Sequence, residues 1–359
     1  CGTSAGALNA VAIATFASRF RLGVHGLETV WRNFSSEQVY RTEFLGLVGH
    51  GSRWLSALFL SGLGAKRPVS LLDNAPLAQL LERMLRFDRI QQAIERGDLH
   101  AVSVTCSGYS SGESVSFFEA AREVGGWRRN RRLGVRSRLG LRHLLASSAI
   151  PALFPAVQLN REYFGDGSVR QLAPLSPALH LGADRILVVG VSGSEEMLAR
   201  GRVRGAYPSV AQVAGHLLNA AFLDGLEIDL ERLERKNRIA AMLSSEQRAQ
   251  TEVAPRHIDV LKILPSEPLD QIAARYAHDL PSSMRFFLRG SGADGSAGST
   301  VLSYLLFERG YCRALIDLGY RDAMRLRSEL SRFLGQAEPA AAKLADRNFT
   351  GVLEAQSPA

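Results

Sequence analysis

The chain begins CGTSAGALNA (Cys1–Ala10), and the reading of these ten residues decides the fold. Gly2, Ser4 and Gly6 have the G-x-S-x-G spacing of a nucleophile elbow, a sharp strand-to-helix turn that exposes a serine hydroxyl. The serine backbone is strained in such a turn, so a strand and a helix approach closely only where side chains are absent, the need met by Gly2 and Gly6. Downstream, AGALNAVAIATF is alanine-rich and proline-free, which predicts a helix. Ser4 would then sit at a helix N-terminus, where free N–H groups and the macrodipole favour negative charge on an attacking oxygen. The same pentapeptide also fits a small-residue loop capped by Ser4.

Working outward, the pattern alternates. LLDNAPLAQLLERMLRFDRIQQAIERG (71–97) reads as one capped helix, with Asp73 or Asn74 as cap and Pro76 in the first turn. HAVSVTCS and GESVSFF read as two strands around SGYSSGE, and LRHLLASSA as a short helix stopped by Pro151. A helix from Pro174 to Leu181 ends at Gly182 and leads to RILVVGVS, expected to be a buried parallel strand. A long helical pattern from Ser209 precedes a second central strand, HIDVLKIL. The C-terminal third reads as helices bounded by Gly310 and Gly319, and from residue 335 the composition predicts a loosely ordered tail (335–359). The expected fold is α/β: three α/β/α layers around a mostly parallel sheet, in one domain over 1–334.

With 359 residues and 46% hydrophobic content the chain can bury a large core. No run of eighteen apolar residues is present, so no membrane-spanning helix is expected. Cys1, Cys106 and Cys312 are too few and scattered for a disulfide framework or a metal site. The net charge of +8 favours anionic partners, and its densest stretch, WRRNRRLGVRSRLGLRH (127–143), reads as a solvated loop or an anion-facing patch. No nucleic-acid-binding motif accompanies it, so an anionic membrane surface ranks above nucleic acid. The glycine-rich run 290–299 lacks the ending of a phosphate-binding loop and is expected at the surface.

A serine nucleophile needs a base. The eight histidines, at 25, 50, 100, 143, 180, 216, 257 and 278, lie in unremarkable settings. Asp166 in YFGDGSV is flanked by Gly165 and Gly167, which allows tight turn geometry and leaves its carboxylate unobstructed; D-G is equally an ordinary turn signature.

GTSAG (2–6), ASSAIPALFPAV (146–157) and DGS (166–168) together resemble the patatin-like phospholipases, in the family's order and at a family-like separation. LLDNAPLAQLL and GYRDA are similar to bacterial members, which extends the resemblance to about Leu334. It implies a lipid acyl hydrolase with a Ser-Asp dyad: Ser4 the nucleophile, Asp166 its base, Gly2, Gly6 and Gly167 the motif glycines, and neither metal nor organic cofactor. Ser168 stands where the family usually carries glycine or alanine. The family's first strand and oxyanion loop are expected upstream of Cys1, so the chain taken alone is expected to be weak or inactive. The implied substrate is a phospholipid or another acyl ester; the basic charge predicts peripheral attachment to an anionic bilayer from the cytoplasmic side, and the apolar composition of IPALFPAV predicts that it lines the acyl pocket. A carboxylesterase or thioesterase acting on soluble acyl groups, and a catalytically silent lipid-binding protein, are the alternatives. Oligomeric state is not legible.

Overall fold

The computed structural model describes residues 1–41, 70–191, 210–243, 256–285 and 299–336. In chain order the elements are β1 (Gly2–Thr3), α1 (Ala5–Thr15), α2 (Phe20–Arg32), α3 (Ala75–Met84), α4 (Asp88–Glu95), β2 (Ala101–Gly108), β3 (Ser114–Ala120), β4 (Trp127–Arg129) and β5 (Arg132–Arg136). They continue with α5 (Leu141–Ser147), β6 (Val157–Leu159), β7 (Glu162–Asp166), α6 (Ser176–His180), β8 (Arg185–Val189), α7 (Val210–Met242), β9 (Asp259–Ile263), α8 (Leu269–Arg275), α9 (Ser299–Leu305), α10 (Arg309–Arg325) and α11 (Arg327–Phe333).

The class is α/β, with helices on both faces of a seven-stranded sheet ordered β4-β5-β3-β2-β7-β6, to which β1 adds by pairing with β2. The sheet is mixed where a mostly parallel one was expected. Only β1–β2 and β3–β5 run parallel within it, and β2–β3, β2–β7, β4–β5 and β6–β7 are antiparallel. Loop length is the reason. Five residues join β2 to β3, and two-residue turns with left-handed Arg131 (φ 55°) and Asn160 (φ 55°) join β4 to β5 and β6 to β7. Connections that short return the chain only as a hairpin. The parallel pair β8–β9 is spanned by α7, but these strands form a separate two-stranded sheet. β8 alternates exposed and buried residues, with Val189 74% exposed, so it is one-faced where burial on both faces was expected.

Other boundaries also shift. The 71–97 pattern splits into α3 and α4 where Leu85 turns extended (ψ 131°). Asp73 Oδ1 accepts the Ala75 N–H (2.9 Å) at the start of α3, with Pro76 in its first turn. Gly310 and Gly319 lie inside α10, which breaks at Leu326. Gly182 does follow α6 with a left-handed φ of 97°. The arginine-rich stretch forms the β4–β5 hairpin over 127–136 and runs on into the start of α5, and Arg136 donates to the carbonyls of Ala120 and Ala121 while lying over Phe118. The glycine-rich run, except Ser299, and the tail from 337 lie outside the described residues.

One apolar cluster joins the sheet face of Val102, Val104, Cys106, Val115 and Phe117 to α1, α3, α4 and α5, and to residues as distant as Leu305 and Leu318. Tyr40 is wholly buried there and donates to the Leu305 carbonyl (2.8 Å). The opposite face meets Phe118, Ala120, Trp127 and Leu181, with Trp127 stacked between Phe118 and His180.

Candidate functional site

The site is assembled along one edge of β2. Gly2 pairs with Val104 and Thr3 with Thr105; at the next position of β2, Cys106, the partner is Asp166 of β7. β1 therefore ends where β7 arrives, and the chain leaves the sheet at Ser4. Two residues far apart in sequence meet because β2 pairs with both strands in succession.

Ser4 adopts φ 53°, ψ −128°, a conformation costly for a residue with a side chain, and α1 starts at Ala5. Its carbonyl accepts the N–H groups of Ala7 and Leu8, while its own N–H donates to Ser147 Oγ (2.9 Å). A Cβ on Gly2 would fall 2.2 Å from the Gly6 carbonyl oxygen, so Gly2 admits no side chain. Gly6 departs from expectation: a Cβ there meets nothing within 4 Å, because it is the Gly6 backbone that fills the space at Gly2. At Gly167 a Cβ would lie 2.1 Å from the Thr105 oxygen and 2.8 Å from Thr3 Cγ2, so a bare backbone is required where the Asp166 turn crosses β1 and β2.

Asp166 is fully buried. Its N–H donates to the Ala149 carbonyl (2.8 Å), and its Oδ1 accepts the Ser168 N–H (3.0 Å). Oδ2 has no hydrogen-bond partner of normal geometry, although Ser4 is close enough to act on the carboxyl's titration. Burial raises the Asp166 pKa to about 6, and hydrogen bonding from Ser4 and from the Ser168 backbone and side chain opposes that rise. The neighbouring groups titrate higher too. The Cys106 thiol, Tyr109 and Tyr304 are all raised by burial first and by the Asp166 charge second, Tyr304 to about 12. The Tyr109 hydroxyl lies over Gly165, 2.6 Å from where a Cβ would stand.

Sequence reading left Ser147, Tyr109 and Tyr304 without roles. Ser147 lies in the quoted ASSA stretch, a visible signal; nothing local marks the two tyrosines. His25 and His216 are exposed, and the other described histidines are engaged elsewhere. His100 contacts the Leu181 carbonyl, His143 Nδ1 accepts the Gly140 N–H, His180 contacts Ser176, and His257 and His278 lie beside Asp259 and Asp279. His50 is outside the described residues.

A cavity of about 500 Å³ lies over Val115, Phe117, Leu133 and Phe164 with Glu113 and Glu162 also in its wall, and neither Ser4 nor Asp166 lines it. A smaller one, about 120 Å³, follows α1 from Leu8 to Phe16 against α2 and α3. IPALFPAV lines neither; its Ile150 and Phe154 are buried in the main apolar cluster.

No curated protein matches the chain. Residues 1–179 match the family model described as Patatin-like phospholipase, a span from β1 through α6 that contains Ser4, Ser147 and Asp166. Members of that family are in general esterases and lipases acting on lipid acyl esters. Through residues 1–179, this chain belongs to the patatin-like phospholipases.

Proposed function

We propose that the chain hydrolyses fatty-acyl esters of phospholipids or lysophospholipids through a dyad of Ser4 as nucleophile and Asp166 as base. The observation that carries this reading is a serine at a strained strand-to-helix turn beside a wholly buried carboxyl whose Oδ2 is unpartnered. With a pKa of about 6 the carboxyl is mostly ionised at neutral pH yet basic enough to take a proton from a hydroxyl.

In the first half-reaction Ser4 Oγ attacks the ester carbonyl carbon as its proton passes to Asp166. The tetrahedral intermediate then breaks its bond to the leaving alkoxide, which takes that proton and departs as alcohol. In the second half, water attacks the acyl-serine, Asp166 takes a proton from it, and Ser4 Oγ regains one as the fatty acid leaves. The N–H groups that open α1 favour the transient oxyanion. A net charge of +8 supports peripheral docking on an anionic bilayer.

Ser4→Ala and Asp166→Asn in the intact protein test the assignment against a short-chain p-nitrophenyl ester and against phospholipid vesicles. Each is expected to lower kcat by roughly 10⁴-fold or more with unchanged circular dichroism. Turnover surviving in Ser4→Ala would remove the nucleophile assignment.

A further inference from the structure

The two halves of the site are held by one short segment that takes no part in the chemistry proposed above. Ser147, at the end of α5, is wholly buried. Its Oγ accepts the Ser4 N–H (2.9 Å) and donates to the Thr105 carbonyl (2.7 Å), so the hydroxyl is engaged on both sides. Thr105 is the β2 residue paired with Thr3, and its carbonyl is also the atom against which Gly167 is pressed. Two residues beyond Ser147, the Ala149 carbonyl accepts the Asp166 N–H (2.8 Å). Residues 147–149 thus grip the peptide of the proposed nucleophile through a side chain and the peptide of the proposed base through the backbone.

We infer that the Ser147 hydroxyl is a positioning residue for the hydrolysis: it holds the strained Ser4 backbone in register with β2 and so sets the spacing between Ser4 and Asp166. The inference rests on the dyad reading. The physical argument concerns strain. A residue at φ 53° persists only where its surroundings over-determine it, and the hydrogen bond to Ser147 fixes the Ser4 peptide from outside its own strand and helix. Without the hydroxyl, the Ser4 N–H and the Thr105 carbonyl each lose a buried partner, and the elbow is free to relax away from Asp166. Misplacing a reacting atom by ~1 Å lowers rates on the order of 100-fold.

Substitution at 147 separates this role from simple packing. Ser147→Ala removes the hydroxyl alone, while Ser147→Thr and Ser147→Val add near-equal bulk with and without it. In Ser147→Ala, kcat is expected to fall about tenfold or more with KM within about twofold, and labelling by a fluorophosphonate probe to slow in parallel. The acid midpoint of kcat/KM should also rise, because the Ser4 hydroxyl, whose nearness opposes the rise of the Asp166 pKa, moves away. The titratable groups around that carboxyl, Cys106 of β2, Tyr109 of the β2–β3 turn and Tyr304 of α9, all titrate above it and stay neutral through this range. Ser147→Thr should keep more activity than Ser147→Val. Equal activity in the Thr and Val variants, or unchanged kcat and midpoint in Ser147→Ala, would overturn the proposal. If neither bulky variant folds, Ser147→Ala decides alone. An inactive Ser4→Ala beside a fully active Ser147→Ala refutes the clamp and spares the dyad, whereas an active Ser4→Ala refutes both.

Discussion

At the scale of single residues, the glycines separate by what a side chain would strike. A methyl group at Gly167 would meet the Thr105 carbonyl, a backbone atom held in the sheet, so Gly167→Ala is expected to cost roughly 1–3 kcal/mol and most of the activity. Gly6 has open space and lies in the first turn of α1, so Gly6→Ala is expected to be neutral or to stabilise by up to about 1 kcal/mol. Chemical denaturation of the two variants checks the contrast. Asp166 carries the pH dependence. Its folded pKa of about 6 lies above its ordinary value of 3.8, so the folded state binds the proton more tightly. Stability is therefore highest below pH 3.8 as far as this group is concerned, is lost as pH rises towards 6, and is level above that. The difference amounts to about 2–3 kcal/mol. Asp166→Asn should thus raise Tm at pH 8 and leave it nearly unchanged at pH 4, while abolishing turnover. Activity of the unsubstituted protein should climb with pH through about 6, since the ionised carboxylate is the competent form.

At the scale of elements, β2 is the template. It is buried along almost its whole length, pairs with β3 on one edge and with β1 and then β7 on the other, and so decides where both halves of the site end. α5 packs on the neighbouring strand β3 through Phe117, whose ring lies against His143 (5.0 Å) and Phe164 (5.4 Å). Phe117 is 1% exposed, and Phe117→Ala is expected to cost roughly 3–5 kcal/mol and to loosen α5, measurable as a lower Tm and slower fluorophosphonate labelling of the folded fraction. Much of this layer was readable in advance: β2, β3, α1 and α5 all fall where hydrophobic pattern and breakers place them. The sense of the strands was not, because it depends on two-residue turns at Asn130–Arg131 and Asn160–Arg161, whose left-handed residues carry none of the usual glycine signal.

At the scale of the whole molecule, one apolar cluster runs from Ala7 on α1 to Leu318 on α10, so the C-terminal helices share the core that backs the site. Among the described residues no helix is long and apolar enough to cross a membrane. In the proposed function lipid is met by a basic surface: 43 basic against 35 acidic residues produce the net charge of +8. Binding to vesicles containing phosphatidylglycerol is expected to exceed binding to phosphatidylcholine vesicles, and to weaken sharply between about 0.05 and 0.5 M salt as the screening length shortens. Cosedimentation at several salt concentrations measures this. Arg136 is exposed on that surface, and its guanidinium is held in place there by the carbonyls of Ala120 and Ala121.

The amino-acid sequence by itself determined the turn at Ser4, the helix behind it and the α/β class, because each depends on local chemistry, small residues, periodicity and turn formers within a few positions; Asp166 was singled out by the resemblance of three ordered motifs, its own D-G being equally an ordinary turn signature. Only the tertiary structure decided that β2 sets Ser4 and Asp166 end to end, that Ser147 ties the elbow to Thr105, and that Gly2 rather than Gly6 is sterically compelled. Those are consequences of strand register and of contacts between distant segments. A register shifted by one residue would leave every local pattern intact and turn the same side chains to the other face.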